Sequence, residues 1–149
     1  MIFLIIIGAY VFGYFLTVTK LPMTIANAVA GLDVSSYIVL ILILLVYVVM
    51  GCLMDSLAMV LLLVPIFYPV IVDLGMNPIW FGVLMVLMME MGQITPPVGI
   101  NAFIISGMTK VPLGAVFKGV APFIIALLVC AALVIAFPQL ALWLPGLLY

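Results

Sequence analysis

A polar segment from Met89 to Asn101 interrupts a chain that is otherwise almost entirely apolar. It contains a carboxylate, two amides, a hydroxyl and the adjacent prolines Pro96 and Pro97. Because proline has no N–H and pushes the preceding residue away from helical backbone angles, a helix that enters this segment must break. The first half of a broken helix presents unpaired carbonyls, which bind cations, and the second half presents unpaired amides, which bind anions. The segment therefore predicts an ion-binding site inside an apolar chain.

The residues around the two prolines suit oxygen ligation of a small cation. Gly92 and Gly99 let another backbone segment approach closely. The Thr95 hydroxyl and the Asn101 amide can add ligands or can cap the free backbone groups. Sodium is a hard cation that prefers such oxygen ligands. A second interpretation stays open, in which the proline pair is only a kink.

The composition identifies an integral membrane protein. Of the 149 residues, 71% are hydrophobic and 5% are charged, and the mean hydropathy is +1.71. This leaves too little polar sequence to cover the surface of a soluble domain. The basic residues are 3 lysines, so no nucleic-acid partner is indicated. The chain is not expected to be an enzyme, because without histidine a nucleophile and base could come only from Asp55, Glu90 and Ser56.

The apolar runs divide the chain into helices that must position the polar segment. We predict a transmembrane helix at 1–20, an interfacial helix at 21–34, a re-entrant helical hairpin at 37–72, a discontinuous helix at 78–108 broken near 92–99, a transmembrane helix at 113–137 and an interfacial tail at 138–149. Together these segments form a single all-α membrane domain. Trp80, near the start of the discontinuous helix, is expected to lie at the membrane interface.

The hairpin prediction follows from the lengths of two apolar arms. The run from 37 to 72 is interrupted only by the short segment from Gly51 to Ser56. Its arms have about 14 and about 17 residues, which reach roughly 21 Å and roughly 25 Å as helices and fall short of a hydrocarbon core of about 30 Å. A tip inside the bilayer must face protein or ions rather than lipid. The tip could therefore bring the Asp55 carboxylate to the helix break.

Two carboxylates keep alternative roles at this stage. Asp55 could bind the cation directly, or it could cap the helix that follows it. Glu90 could belong to an ion or proton path, or it could be a hydrogen-bonding partner for the break. The cysteines Cys52 and Cys130 and the methionines before the break are interpreted as packing residues.

Four groups of residues together match the pattern of one known family. They are Met54-Asp-Ser-Leu-Ala-Met59 followed by Pro65 and Pro69, then Asn77-Pro-Ile-Trp-Phe-Gly82, then Gly92-Gln-Ile-Thr-Pro-Pro-Val-Gly-Ile-Asn101, and finally Val111-Pro-Leu-Gly114. They closely resemble the carboxy-terminal part of the large membrane subunit of TRAP transporters, the DctM family. The resemblance covers essentially the whole chain.

This resemblance implies a function and a mechanism. TRAP transporters are tripartite, sodium-driven importers of organic acids such as dicarboxylates in the inner (plasma) membrane of bacteria and archaea. Their large subunit is a multi-pass permease that works with a small membrane subunit and a periplasmic substrate-binding protein. It has an elevator-type fold of two inverted repeats, each with a re-entrant hairpin and a discontinuous helix. The chain resembles the second repeat, and no cofactor is implied besides sodium as the coupling ion.

The resemblance also implies which residues form the site. The expected sodium-binding residues are Gly51, Asp55, Gly92, Thr95, Pro97 and Gly99, and the expected substrate-binding residues are Thr95, Val98, Gly99 and Asn101. The departure from the family is length, because the amino-terminal repeat is absent. The chain is thus expected to be a fragment, a partial gene product or a split subunit that does not transport alone. The alternative hypothesis is a non-transporting membrane scaffold or inactive fragment in which the break is only a kink.

Overall fold

The protein is helical in the part that a computed structural model describes, residues 2–30 and 35–148. The helices are α1 (Ile2–Thr19), α2 (Leu21–Ala30), α3 (Ser36–Gly51), α4 (Ser56–Asp73), α5 (Pro78–Ile94), α6 (Ile100–Thr109), α7 (Leu113–Ala136) and α8 (Gln139–Leu148). No strand occurs within these residues, which confirms the all-α class. Helices α4 and α7 are long and apolar enough to cross a bilayer. The end of the predicted interfacial helix, at 31–34, and Tyr149 of the predicted tail lie outside the described residues.

Helix α5 is the centre of the bundle. It packs most extensively against α3 and also contacts α4, α6, α7 and α8. Its buried face carries several methionines, whose flexible side chains fill irregular gaps in a core. The largest fully buried side chains of the core are Tyr47, Leu40, Met59, Ile71, Leu84 and Val70. The core therefore follows one face of α5 along most of its length, while Val83, Val86 and Glu90 on the other face are exposed.

The outer helices present large apolar side chains to their surroundings. Helix α1 packs against α2 and α4, and its Phe3, Tyr10 and Tyr14 are 81%, 78% and 73% exposed. On α7, Phe123 and Ile125 are 65% and 63% exposed. A surface of this kind is unfavourable in water and suits the hydrocarbon of a bilayer.

Trp80 does not lie on the outer surface as an interfacial anchor would. It is 4% exposed, and its indole Nε1–H donates to the carbonyl of Val134 in α7 at 2.7 Å. In a continuing helix that carbonyl would accept from residue 138, but Pro138 has no N–H. Trp80 therefore supplies the donor that Pro138 lacks, and this bond ties the start of α5 to the end of α7.

Helices α3 and α4 are joined by the turn at 52–55, which lies beside the end of α5. Helix α4 runs through Pro65 and Pro69 without ending. The chain after Pro138 also remains helical and packs against α5 and α7 as α8. The fold thus places the α3–α4 turn and the end of α5 next to each other.

Candidate binding site at the helix break

The chain leaves helical geometry between α5 and α6, from residue 95 to residue 99. Thr95 has extended backbone angles (φ −89°, ψ 138°), as expected for a residue that precedes proline. Gly99 has left-handed angles (φ 56°, ψ 72°), which glycine adopts without the strain that a Cβ would cause. The peptide bond between Pro96 and Pro97 is cis. Two prolines and one glycine thus shape the break.

The break begins later than the range 92–99 taken from the sequence, and two hydrogen bonds explain the difference. The Thr95 amide donates to the carbonyl of Gly92 at 3.2 Å, in place of the N–H that Pro96 lacks. The Thr95 hydroxyl donates to the carbonyl of Met91 at 2.5 Å. These bonds let α5 continue to Ile94, so Gly92 lies in its last turn.

The break leaves backbone groups of both kinds without their helical partners. In a continuous helix the carbonyl of Gln93 would accept from residue 97, but Pro97 has no N–H. Gly99 begins α6 without a side-chain cap, so no capping side chain bonds the amides of the first turn of α6. One side of the break therefore suits a cation and the other suits an anion.

Three segments converge on the carbonyl oxygen of Thr95. Sγ of Cys52, in the α3–α4 turn, lies 3.6 Å from this oxygen. A Cβ added to Gly99 would lie 3.1 Å from the same oxygen and 3.0 Å from the ring of Phe117 in α7. The α3–α4 turn, the end of α5 and the start of α6 thus meet around one backbone oxygen.

Gly51 and Gly92 form a close contact between the last turns of α3 and α5. A Cβ added to Gly92 would lie 2.5 Å from the carbonyl oxygen of Val48 and 2.8 Å from Cα of Gly51. A Cβ added to Gly51 would lie 3.0 Å from the carbonyl oxygen of Met89. The packing of the two backbones therefore requires glycine at position 92 and leaves very little room for a Cβ at position 51, whatever ligand the break holds.

The carboxylates of Asp55 and Glu90 have different surroundings. Oδ1 of Asp55 accepts from the amide of Ala58 at 2.9 Å, so Asp55 caps α4. Of the two roles left open for Asp55, capping is observed, and its second carboxylate oxygen is left for another partner. Glu90 is exposed on α5, and among the described residues it forms no hydrogen bond with the groups of the break.

Gln93 is absent from the predicted site residues, yet it bridges two parts of the site. Its Nε2 donates to Oγ of Ser56 in the first turn of α4, and its Oε1 accepts from Nδ2 of Asn101 in α6 at 3.1 Å. Gln93 is 7% exposed and is the only buried amide side chain among the described residues. A buried amide needs hydrogen-bond partners, so a glutamine within an apolar helix was the sequence feature that could have indicated a role for Gln93 in the site.

The remaining predicted residues are distributed around these contacts. Pro97 and Asp55 are exposed, Val98 and Asn101 are half-buried, and Gly99 is buried. The structure therefore brings Gly51, Gly92, Thr95 and Gly99 into one region, with Asn101 attached to it through Gln93.

A family model matches most of this sequence. Residues 1–140 match the model described as the DctM component of the tripartite ATP-independent periplasmic transporter. The chain belongs to the DctM family. The helix break described above is thus a feature of a DctM-family chain, and so is the α3–α4 turn beside it.

Three curated relatives of this DctM-family chain are named as permeases. It is 39% identical over 146 residues to the C4-dicarboxylate TRAP transporter large permease protein DctM of Pseudomonas aeruginosa, with 98% of this chain and 34% of the relative covered. It is 35% identical over 144 residues to the sialic acid TRAP transporter large permease protein SiaM of Vibrio cholerae, with 97% and 34% covered. The isethionate TRAP transporter permease protein DctMQ of Oleidesulfovibrio alaskensis is 31% identical over 146 residues, with 98% and 23% covered.

The chain spans about a third of the length of the large permease relatives that it matches: 34% of the Pseudomonas aeruginosa protein and 34% of the Vibrio cholerae protein. No solved structure matches it.

Proposed function

We propose that this chain is the carboxy-terminal part of the transmembrane permease of a sodium-coupled tripartite importer of organic acids. The observation that carries the proposal is the break between α5 and α6 in an apolar protein of the DctM family: Pro97 leaves the carbonyl of Gln93 without its helical donor, and the first turn of α6 has no side-chain cap. Irregular backbone at membrane depth is tolerated where it lines a binding cavity, and transporters place their sites at such breaks.

The proposed sodium site is built mainly from oxygens. Because the Thr95 hydroxyl donates its proton to Met91, the lone pairs of its oxygen remain available for a cation. The Thr95 carbonyl and the second carboxylate oxygen of Asp55 supply oxygens of the kind that a hard cation prefers. The sodium-binding residues of the proposal are Gly51, Asp55, Gly92, Thr95, Pro97 and Gly99.

The proposed substrate site lies on the other side of the break. The uncapped first turn of α6 offers amides to an anionic group, beside Thr95, Val98, Gly99 and Asn101. The printed names of the relatives give C4-dicarboxylates, sialic acid and isethionate as their substrates, and all of these are organic acids. The chain has no arginine, so a substrate carboxylate would be held by amides, by hydroxyls or by residues of the amino-terminal repeat.

The transport mechanism of the proposal is elevator-type alternating access. Helix α3 has 16 residues, about 24 Å of helix, which suits one arm of a re-entrant hairpin better than a full span. Length does not distinguish the two possibilities for the other arm, α4, because its 18 residues could also cross a bilayer. The partners are the amino-terminal repeat of the large subunit, a small membrane subunit and a periplasmic substrate-binding protein. The location is the inner (plasma) membrane, with the chain crossing the bilayer several times.

Uptake measurements test this proposal. The chain is combined in proteoliposomes with the amino-terminal repeat of a related permease and with the other two subunits, and uptake of a labelled dicarboxylate is measured with a sodium or a potassium gradient. Thr95→Val is expected to reduce sodium-dependent uptake at least about tenfold, because it removes one cation ligand and one hydrogen bond to a backbone carbonyl.

Thr109→Val is the matched control, since the Thr109 hydroxyl also donates to the carbonyl four residues earlier, at 2.7 Å, but at the far end of α6. This control is expected to retain uptake. If Thr95→Val and Thr109→Val have the same effect on uptake, the assignment of Thr95 to the site is wrong. Equal uptake with sodium and potassium gradients would contradict sodium coupling, whereas no uptake with any gradient is the result that the scaffold hypothesis with a simple kink predicts.

A further inference from the structure

We propose that Gln93 is a positioning residue that links the α3–α4 turn to the start of α6 and so sets the spacing across the helix break. The proposal assigns a role to a residue that lies outside the expected ligand set. It rests on the proposed function, because the break is taken as the site whose geometry matters.

The hydrogen bonds form a directed series through one amide. Asn101 Nδ2 donates to Gln93 Oε1, and Gln93 Nε2 donates to Ser56 Oγ. Ser56 begins α4 and Asn101 lies in the first turn of α6, so the amide joins two helix starts. The side-chain amide of Gln93 has an NH₂ donor and a carbonyl acceptor. It can therefore donate to the Ser56 hydroxyl and accept from the Asn101 amide at the same time.

The backbone of Gln93 lies in the well-packed last turn of α5. It follows Gly92, whose backbone touches Val48 and Gly51 of α3, and it is buried, whereas Ser56 and Asn101 are half-buried. Loss of either bond would leave a buried polar group without a partner, which costs more than the bond itself contributes. The two hydrogen bonds of Gln93 therefore fix the distance of the start of α4 and of the start of α6 from the end of α5.

The bridge also determines which polar atoms remain for other partners. With Nδ2 engaged, Asn101 keeps its amide oxygen as a free acceptor, and with Oγ accepting, Ser56 keeps its hydroxyl proton as a donor. A change at Gln93 would thus reorient polar groups on both sides of the break without removing either group.

A native cysteine reports on this spacing. Cys52 is 6% exposed and its Sγ contacts the Thr95 carbonyl, so it reacts with a polar thiol reagent only when the turn separates from the break. Cys130 is exposed and is replaced by alanine, which leaves Cys52 as the single thiol. Labelling rates of this chain are measured in lipid nanodiscs, in potassium and in sodium.

Gln93→Met retains the side-chain volume but removes both hydrogen bonds. We expect Cys52 to react about tenfold faster in potassium, since each lost bond contributes a few-fold to the opening equilibrium. Gln139→Met is the matched control, because Gln139 is the other glutamine of the chain and is exposed at the start of α8. It is expected to leave the rate unchanged.

Gln93→Glu tests whether hydrogen bonding rather than shape is responsible. A neutral carboxylic acid has one donor and one acceptor, and an ionised one can accept from both Ser56 and Asn101. This variant is expected to keep the labelling rate within about twofold of the parent, because both partners stay bonded. If Gln93→Met does not fold, judged by circular dichroism, the comparison of Gln93→Glu with Gln93→Leu takes its place.

A mutant cycle separates the bridge from general loosening. Ser56→Ala and Asn101→Leu break the same bridge, so their combined effect on the labelling rate should be smaller than the product of the single effects. In the Gln93→Met background neither change should add to the rate. Independent, multiplicative effects in both backgrounds would overturn the proposal, as would a Gln93→Met rate equal to that of Gln139→Met.

The sodium arm distinguishes this proposal from the proposed function. If sodium slows Cys52 labelling in the parent chain, the cation site is supported. If Gln93→Met accelerates labelling in potassium while sodium changes no rate, the bridge stands and the sodium site fails. If sodium slows labelling equally in the parent and in Gln93→Met, with equal rates in potassium, the sodium site stands and the bridge is wrong.

Discussion

The two ends of α5 differ in how completely their terminal backbone groups are hydrogen-bonded. At the first end, Asn77 Oδ1 accepts from the amides of Ile79 and Trp80 at 2.9 and 3.4 Å, and the Trp80 indole bonds the α7 carbonyl that Pro138 leaves free. At the second end, Pro97 deprives one carbonyl of its donor, and Gly99 starts α6 without a side-chain cap. Side chains close the first end. At the second end Thr95 bonds the carbonyls of Gly92 and Met91, but the carbonyl of Gln93 and the first amides of α6 have no such partner and could bond a ligand.

This difference indicates where function is to be expected in the bundle. An unpaired backbone group in apolar surroundings raises the free energy of the fold, so proteins normally pair such groups as the first end of α5 does. A region that leaves them unpaired, while the rest of the helix follows the rule, is the expected place for a functional site.

The largest effect is expected at the glycine contact beside the second end. Gly92→Ala would place a Cβ 2.5 Å from a backbone oxygen of α3 and 2.8 Å from Cα of Gly51, and rigid backbone cannot move aside as a side chain can. We expect the free energy of unfolding to fall by about 3 kcal/mol. Reversible unfolding in mixed micelles, followed by circular dichroism, measures it.

Gly82→Ala is the control for this prediction, since it makes the same change in the same helix with nothing within 4 Å of the new Cβ. It should raise the free energy of unfolding by about 0.5 kcal/mol through helix propensity. Equal effects of the two substitutions would contradict the close contact between α3 and α5.

A smaller effect is expected at the first end of α5. Trp80→Phe removes the indole N–H and leaves the buried Val134 carbonyl without a donor, because Pro138 cannot supply one. The free energy of unfolding should fall by about 2 kcal/mol, measured in the same way. Trp143→Phe is the control, because Trp143 is 66% exposed, and it should leave stability unchanged. If Trp80→Phe left the free energy of unfolding unchanged, the indole hydrogen bond would not be what closes the first end of α5.

The smallest effect concerns Asp55, whose two possible roles can be separated. Asp55→Ala removes the cap of α4 and should lower the free energy of unfolding by about 1 kcal/mol. Asp55→Asn keeps a capping oxygen and should retain stability, but it removes the negative charge and should weaken the stabilisation of the chain by sodium. Thermal unfolding in sodium and in potassium measures both. If Asp55→Asn keeps the full sodium effect, Asp55 is only a cap.

The helix break could be predicted from sequence because its cause is local. Pro96 and Pro97 remove two successive N–H groups and disfavour helical angles at the residue before each, whereas a single proline such as Pro65 leaves α4 intact. The start of the break was harder to locate. Thr95 bonds the carbonyls of Gly92 and Met91 through its amide and its hydroxyl, and this keeps the last turn of α5 helical.

The roles of Trp80 and Gln93 depended on distant contacts. Trp80 has the residue type and the sequence position expected of an interfacial residue. In the structure it is buried, and its indole N–H donates to the carbonyl of Val134, 54 residues further along the chain. Gln93 reaches Ser56, which is 37 residues away along the chain. Rules based on neighbouring residues cannot identify such pairs, because the partner is chosen by how the helices pack.

The all-α class, the family resemblance and the presence of a break with carbonyls on one side and amides on the other could all be predicted from the residues alone. These follow from hydropathy, from motifs and from proline chemistry, all of which act within a few residues. The folded structure was needed to show that Gly51 and Gly92 pack backbone against backbone, and that the α3–α4 turn meets the break at the Thr95 carbonyl. Those contacts join helices that are distant in sequence, and only the packing of the whole core brings them together.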